Sequence, residues 1–189
     1  MHVRKGTGAV SSEQNSHPFK YKNWIFAHNG CVERKYLLPL LTDEHEEKLE
    51  GETDSEVYFY WLLRCIDKEQ DTVKGIKRAI EAVVKRNYTG LNFLLSNGSN
   101  LYVFRYSKYS RDYYTLYNLE RNPSEYGPIE LFSKETKAII HSKSQKGEKA
   151  VLVCSEKLTD EKCEKWKEIR FGNLLIIDSK LKMNLVEIQ

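Results

Sequence analysis

The sequence predicts an α+β domain in which a pair of helices is attached to a largely antiparallel sheet. Apolar residues recur at helical spacing in two stretches, one starting beside Asp54 and one spanning residues 72 to about 85. After Gly90 the pattern changes to short apolar runs separated by turn signals. Helices followed by a run of strands are typical of an α+β fold, so we expect one layered domain over residues 1–189.

Both helices carry start signals. Residues 53–56 read Thr-Asp-Ser-Glu, which has the form of a capping box, so the first helix is predicted to begin at or beside Asp54. Its apolar face continues through Ile66. The second helix is predicted over residues 72 to about 85, with Asp71 or Thr72 as its N-cap.

Short strands are predicted on both sides of the helix pair. An Asn97-Gly98 pair between two apolar runs indicates a hairpin, and the small, polar segment 6–17 is expected to be a loop. The predicted strands span residues 1–4, 24–27, 91–96, 101–105, 115–119, 138–141, 149–154, 173–177 and 184–188.

Length and charge exclude several classes of protein. A chain of 189 residues suits one domain, which buries about 70 % of its unfolded surface. The net charge is +3 with the two signs mixed along the chain, which argues against nucleic-acid and anionic-membrane partners. No apolar stretch approaches the roughly 20 residues of a membrane helix, and the N-terminus lacks a signal-peptide core. We therefore expect a cytoplasmic protein.

The four cysteines are expected to be free thiols. Cys31, Cys65, Cys154 and Cys163 form no Cys-x-x-Cys pair and have no histidine at metal-ligand spacing. The sequence therefore predicts neither a zinc site nor a disulfide framework. Three of the four are expected to be buried or half-buried, and Cys31 is interpreted as a packing residue.

Three positions have side chains that suit an amide substrate with an amino-acid head group. Such a substrate needs a cation for its carboxylate, an anion for its ammonium, and hydrogen-bond donors for the oxyanion that develops on the side-chain carbonyl. Arg4, Asp54 and the Asn29-Gly30 pair can supply these in turn. Each is a weak signal by itself, because a lone arginine is usually surface charge and an Asp at a helix start is usually a cap.

Four sequence blocks strengthen this interpretation by their order. They read HVRKGTG at residues 2–8, NSHPF at 15–19, HNG at 28–30 and ETDSE at 52–56. Together they resemble the glutamine-binding half of the class II glutamine amidotransferases. The segments LNFLLSNG at 91–98 and CSEKLT at 154–159 resemble the small stand-alone branch of that family. The resemblance therefore spans almost the whole chain.

The resemblance implies a fold and a set of site residues. The fold is that of the N-terminal-nucleophile hydrolases, with αββα layers and mostly antiparallel sheets. Arg4 would bind the α-carboxylate of glutamine, with Thr7 shaping the same wall, and Asp54 would bind the α-ammonium. The Asn29 side-chain amide and the Gly30 N–H would form the oxyanion hole. No metal or other cofactor is implied, since amide hydrolysis through a thioester requires none.

Other polar residues near these blocks are given no catalytic role. His17 and His28 are interpreted as structural hydrogen-bonding residues, because the family's base is the α-amine of the nucleophile itself. Lys5 departs from the aromatic or amide residue often found after the arginine, so the sequence does not predict the composition of the local pocket wall.

The largest departure from the family concerns the nucleophile. Family members begin Met-Cys and have several dozen residues before the H-x-R block, whereas this sequence begins Met1-His2 at that block. We therefore expect a sheet core that lacks its first strands and a chain that, as written, does not hydrolyse glutamine by the family mechanism.

Three explanations are open. The first is an N-terminally truncated glutaminase. The second is a chain that lacks the nucleophile and either acts as a non-catalytic amino-acid or γ-glutamyl binding module or is completed by a separately encoded N-terminal piece. The third is a subunit of a γ-glutamyl peptide hydrolase. The expected partners are glutamine or a γ-glutamyl small molecule, together with a second copy of the chain or a complementing N-terminal chain. The acceptor of any released ammonia stays open.

Overall fold

A computed structural model describes residues 12–122, 129–134, 139–142, 149–159 and 164–189. The strand predicted at residues 1–4 and the first half of the loop predicted at 6–17 lie outside these ranges. The helices are α1 (Arg34–Leu37), α2 (Asp43–Glu46), α3 (Asp54–Glu69) and α4 (Thr72–Val83), with a 3₁₀ turn at Leu38–Leu40. The strands are β1 (Phe19–Tyr21), β2 (Trp24–Asn29), β3 (Asn92–Ser96), β4 (Leu101–Phe104), β5 (Tyr117–Arg121), β6 (Ile129–Phe132), β7 (Ile139–Ser142), β8 (Ala150–Cys154), β9 (Lys167–Glu168), β10 (Asn173–Ile177) and β11 (Met183–Glu187).

The main sheet contains six antiparallel strands in the order β1-β2-β3-β4-β10-β11. The predicted hairpin between β3 and β4 is confirmed. Asn97 Oδ1 accepts hydrogen bonds from the N–H groups of Ser99 and Asn100 at 3.0 and 2.8 Å, and Gly98 has a φ of +85°. The turn therefore forms because Asn caps its own backbone and Gly tolerates the left-handed conformation.

Both predicted helices are present, and their N-terminal caps explain where they begin. The Thr53 hydroxyl accepts a hydrogen bond from the Glu56 N–H, so α3 begins at Asp54. The Asp71 carboxylate accepts one from the Lys74 N–H at 2.9 Å, so α4 begins at Thr72. Helix α4 ends at Val83, about two residues before the predicted end. None of the helices in the described ranges is long and apolar enough to cross a membrane.

The sheet has an apolar core on each of its faces. Alternate residues of β3, β4 and β10, such as Phe93, Phe104 and Leu174, pack with α3 and α4 on one face. The residues between them, such as Val103 and Leu175, pack on the other face against the second sheet, β8-β5-β9. The described residues therefore form a helix layer and two sheet layers, because both faces of the main sheet bury apolar side chains.

Several short elements were not predicted. They are β1, β6, β9, α1 and α2, none of which exceeds four residues. Periodicity is not measurable over so few residues, and β1 forms because it pairs with β2 through a tight turn at Lys22, whose φ is +53°. The strand predicted at 115–119 lies two residues later, at Tyr117–Arg121. Its position is set by pairing with β8, where Tyr117 lies opposite Cys154.

Close packing between α3 and α4 leads to a stability prediction. Gly75 is buried, and a Cβ atom there would lie 2.4 Å from the Ile66 Cα. We expect Gly75→Ala to lower the free energy of unfolding by about 1–3 kcal/mol, although alanine by itself favours a helix by about 1 kcal/mol. Lys77→Ala on the exposed face of α4 is the control and should change stability by less than about 0.5 kcal/mol in urea denaturation. Equal stability of the two variants would contradict this packing.

Candidate active site

His28 connects three segments at one end of the main sheet. Its ring is 3 % exposed, and its Nε2 lies 3.1 Å from the Gly90 carbonyl oxygen while its Nδ1 lies 3.0 Å from the Ser55 hydroxyl. Because a carbonyl only accepts hydrogen bonds, Nε2 donates to the Gly90 oxygen, while Nδ1 shares a hydrogen bond with the Ser55 hydroxyl. The ring therefore connects β2, the start of α3 and the segment before β3. This geometry agrees with the structural role inferred from the sequence.

Asp54 is joined to the turn that follows Asn29-Gly30. Its Oδ2 accepts a hydrogen bond from the Val32 N–H at 2.8 Å. None of the described residues hydrogen-bonds to its second oxygen, Oδ1, and the side chain is partly exposed at the first position of the 16-residue helix α3. The amino end of a helix favours a negative charge. Asp54 is thus an anion held in place by one oxygen, with the other available to a cation.

The backbone turn at Gly30 leaves no room for a side chain. Gly30 has a φ of +143°, and a Cβ atom there would lie 1.9 Å from the Gly90 carbonyl oxygen. Gly90 is in turn packed against the Tyr114 ring, which a Cβ at Gly90 would approach to 2.3 Å. Two backbone segments therefore meet at a pair of glycines, which sets the direction in which the chain leaves β2.

Glu56 organises the loop before Asp54. Its two carboxylate oxygens accept hydrogen bonds from the N–H groups of Glu50 and Gly51, both at 2.9 Å, and the side chain is 4 % exposed. In a full capping box the Glu56 side chain would accept a hydrogen bond from the Thr53 N–H. In the structure it binds two N–H groups further upstream instead. Burial raises the pKa of Glu56 above its usual range, although both N–H donors oppose this shift.

The NSHPF block also contacts this loop. The Asn15 side-chain oxygen accepts a hydrogen bond from the Glu52 N–H at 2.8 Å. His17 stacks edge-on against Phe19, with ring centroids 4.8 Å apart. The second, third and fourth sequence blocks therefore converge, because Asn15 contacts the ETDSE segment and His28 connects that segment to HNG.

The expectation that Cys31 is a packing residue is wrong. Its side chain is exposed, because the residue lies in the turn after Gly30 rather than inside a sheet. Its backbone N–H donates to the Thr89 hydroxyl at 2.9 Å, and its carbonyl accepts from the Thr89 N–H at 3.0 Å. Cys65 is buried and Cys154 is half-buried, and burial raises the pKa of both thiols to about 11. Cys163 lies outside the described residues.

The structure brings together some of the predicted site residues. Asn29, Gly30 and Asp54 lie around one turn, with the Asn29 side chain exposed. Arg4 and Thr7 lie outside the described residues. No role was predicted for Asn15, Gly90 or Thr89, because their contacts depend on segments that are distant in the chain.

Comparison with known proteins agrees with this arrangement. The family model described as glutamine amidotransferases class-II matches residues 1–185. The chain therefore belongs to the class II glutamine amidotransferase family.

Two curated relatives illustrate this membership. The uncharacterized protein MJ1515 of Methanocaldococcus jannaschii is 30% identical over 187 residues, which cover 93% of this chain and 48% of the relative. The probable glutamine amidotransferase DUG3 of Saccharomyces cerevisiae is 28% identical over 214 residues, covering 93% of this chain and 56% of the relative. The chain thus spans about half the length of these two relatives.

A solved structure confirms the predicted fold class. A predicted glutamine amidotransferase from Pseudomonas aeruginosa PA01 superposes with a TM-score of 0.64, covering 87% of this chain and 62% of that chain at 24% identity. At this identity the likeness establishes the fold alone. The fold is the mixed, antiparallel arrangement of the N-terminal-nucleophile type.

The glycine contact provides a test of the turn. Gly30→Ala should lower the free energy of unfolding by at least about 3 kcal/mol, since the new methyl group meets backbone atoms and φ is unfavourable. Gly98→Ala is a matched control, because its φ is also positive but nothing lies within 4 Å of the added Cβ. That variant should lose only about 1 kcal/mol in chemical denaturation. Similar losses in both would show that Gly30 is not confined by Gly90.

The buried carboxylate provides a second test. Glu56→Ala leaves the N–H groups of Glu50 and Gly51 without their acceptor, so the free energy of unfolding should fall by about 1–3 kcal/mol at neutral pH. Glu52→Ala, at an exposed position of the same loop, should have little effect.

The pH dependence of the Glu56 effect has a defined sign. Because the pKa of Glu56 is raised in the fold, the folded chain holds this proton to higher pH than the unfolded chain. The stability contribution of Glu56 therefore falls as pH rises from about 4 through the raised pKa. The difference between wild type and Glu56→Ala should narrow over that range in urea titrations. A difference that widens with pH would contradict a raised pKa.

Proposed function

We propose that this chain provides the glutamine-binding pocket and the oxyanion hole of a glutaminase that releases ammonia from the glutamine side-chain amide. The observation that carries this proposal is the hydrogen bond between the Val32 N–H and the Asp54 carboxylate. This contact holds the Asp54 carboxylate, an anion suited to an α-ammonium group, beside the turn that contains Asn29 and Gly30. Membership of the class II glutamine amidotransferase family supports the same assignment.

In this proposal each residue has a separate chemical task. Arg4 binds the α-carboxylate through its planar pair of donors, with Thr7 beside it, and Asp54 binds the α-ammonium through Oδ1. The Asn29 side-chain amide and the Gly30 N–H stabilise the negative charge that develops on the amide oxygen. Loss of one such donor typically lowers the rate by about 10² to 10³-fold.

The attacking group in this proposal is the thiol of an N-terminal cysteine on a preceding segment or on a complementing chain. Its sulfur bonds to the amide carbon, the resulting oxyanion collapses, and the C–N bond breaks as the nitrogen takes a proton and leaves as ammonia. Water then hydrolyses the thioester to glutamate and regenerates the thiol. We further propose that residues 1–189 form one domain and that the protein acts in the cytoplasm.

Glutamine binding is the direct test of the pocket. Asp54→Asn keeps an oxygen for the Val32 N–H but removes the charge, so the affinity for L-glutamine should fall by about tenfold to a hundredfold. Asp71→Asn is the matched control, since Asp71 is also an aspartate at a helix start but caps α4. The measurement is isothermal titration calorimetry, together with the shift of the thermal midpoint at saturating glutamine.

Two outcomes would overturn parts of the proposal. Unchanged glutamine affinity in folded Asp54→Asn and Arg4→Ala variants would remove the pocket assignment. Much tighter binding of a γ-glutamyl dipeptide than of glutamine would favour a γ-glutamyl peptide hydrolase subunit instead.

A further inference from the structure

Three exposed cations near the Gly30 turn rest on aromatic rings. They are Arg86, Lys108 and Arg111. The charged groups of these residues lie 4.1 Å from the Tyr36 ring centroid, 5.4 Å from that of Tyr109 and 4.2 Å from that of Phe171, respectively. The face of an aromatic ring attracts a cation, so each charged group is held in a restricted position at the surface.

None of these three cations has a carboxylate partner within the described part of the chain. The ion pairs found there use other cations, among them the buried Arg105, which pairs with Glu168 at 2.7 Å. The nearby Glu33 carboxylate instead accepts a hydrogen bond from the Asn87 N–H. Asp112 follows Arg111 directly and is exposed. The three exposed cations thus outnumber these two carboxylates.

Aromatic residues connect Lys108 with Arg111, and Arg86 precedes Tyr88 by two residues in the chain. Tyr88 stacks on Tyr106 with ring centroids 6.2 Å apart, and Tyr106 lies 4.8 Å from Phe171. Tyr109 and Tyr113 extend from the same loop and are 66 % and 73 % exposed. We call the surface formed by Arg86, Tyr88, Tyr106, Lys108, Tyr109 and Arg111 the cationic band.

The cationic band lies directly beside the candidate active site. The Lys108 N–H donates to the Thr89 carbonyl at 2.9 Å, and the Thr89 N–H donates to the Cys31 carbonyl at 3.0 Å. Only Cys31 separates this backbone connection from Gly30. A molecule bound on the band would therefore sit next to the turn that carries the oxyanion donors.

We propose that the cationic band is a docking surface for a protein partner that presents an acidic face. Tyrosine and arginine are the residues most enriched among the energetic centres of protein interfaces, and cations already held on rings lose little freedom on binding. All three cations are exposed rather than buried in a cleft, which suits an extended protein surface better than a small anion. Charge complementarity then selects a partner rich in carboxylates.

The test uses a fluorescein-labelled polyglutamate peptide as the acidic probe, with binding followed by fluorescence anisotropy. Wild type should bind the peptide, and the affinity should fall as NaCl is raised from about 50 to about 300 mM. Replacing both Lys108→Glu and Arg111→Glu should weaken binding by about tenfold or more. The control replaces Lys74→Glu and Lys77→Glu, which makes the same change in net charge. These residues lie in the first turns of α4, at the opposite end of that helix from Arg86. The control should weaken binding by less than about threefold.

Each alternative result has a defined meaning. Equal weakening by the two double variants would show that only net charge matters and would overturn the proposal. Tighter binding of a labelled oligothymidylate of matched charge would overturn it in favour of a nucleic-acid surface. Absence of peptide binding in wild type at low salt would also overturn it.

All four substituted residues are exposed, so thermal unfolding should confirm that both double variants are folded. The measurement contains no glutamine and is therefore independent of the proposed function.

Discussion

The arrangement of the candidate site depends on the buried imidazole of His28. It donates to the Gly90 carbonyl and shares a hydrogen bond with the Ser55 hydroxyl, so one ring connects a strand, a helix start and the entrance to the next strand. Ser55 and Gly90 are both buried, so loss of either hydrogen bond would leave a polar group that water cannot reach. This constraint holds Asn29 and Asp54 on neighbouring segments.

Backbone packing adds a second constraint to the same turn. Gly30 lies so close to the Gly90 backbone that it cannot carry a side chain, and the Tyr114 ring fills the space that a side chain at Gly90 would need. The buried Glu56 carboxylate holds the loop before Asp54 through two backbone N–H groups, at the cost of desolvating a charged group. Rigid support of this kind suits a site that must present donors and charges in fixed directions.

Local signals in the sequence predicted much of the fold. The Thr53 and Asp71 caps and the Asn97-Gly98 turn act within a few residues, so α3, α4 and the β3–β4 hairpin form where the sequence indicated. Strand β1 was missed because three residues are too few to show a period. The Cys31 thiol was expected to pack inside the protein, and its exposure follows from a turn whose direction the glycine pair sets.

The sequence by itself determined the family, the order of the four sequence blocks and the chemical types of the candidate site residues. Those properties depend only on which residues occur and in what order, and four short motifs are enough to reveal them. Only the tertiary structure decided which groups meet. His28 reaches Ser55 and Gly90 across 27 and 62 positions, and Asp54 reaches Val32 across 22. Such contacts arise when the packing of helices and strands around one core brings distant segments together, and no local pattern encodes them.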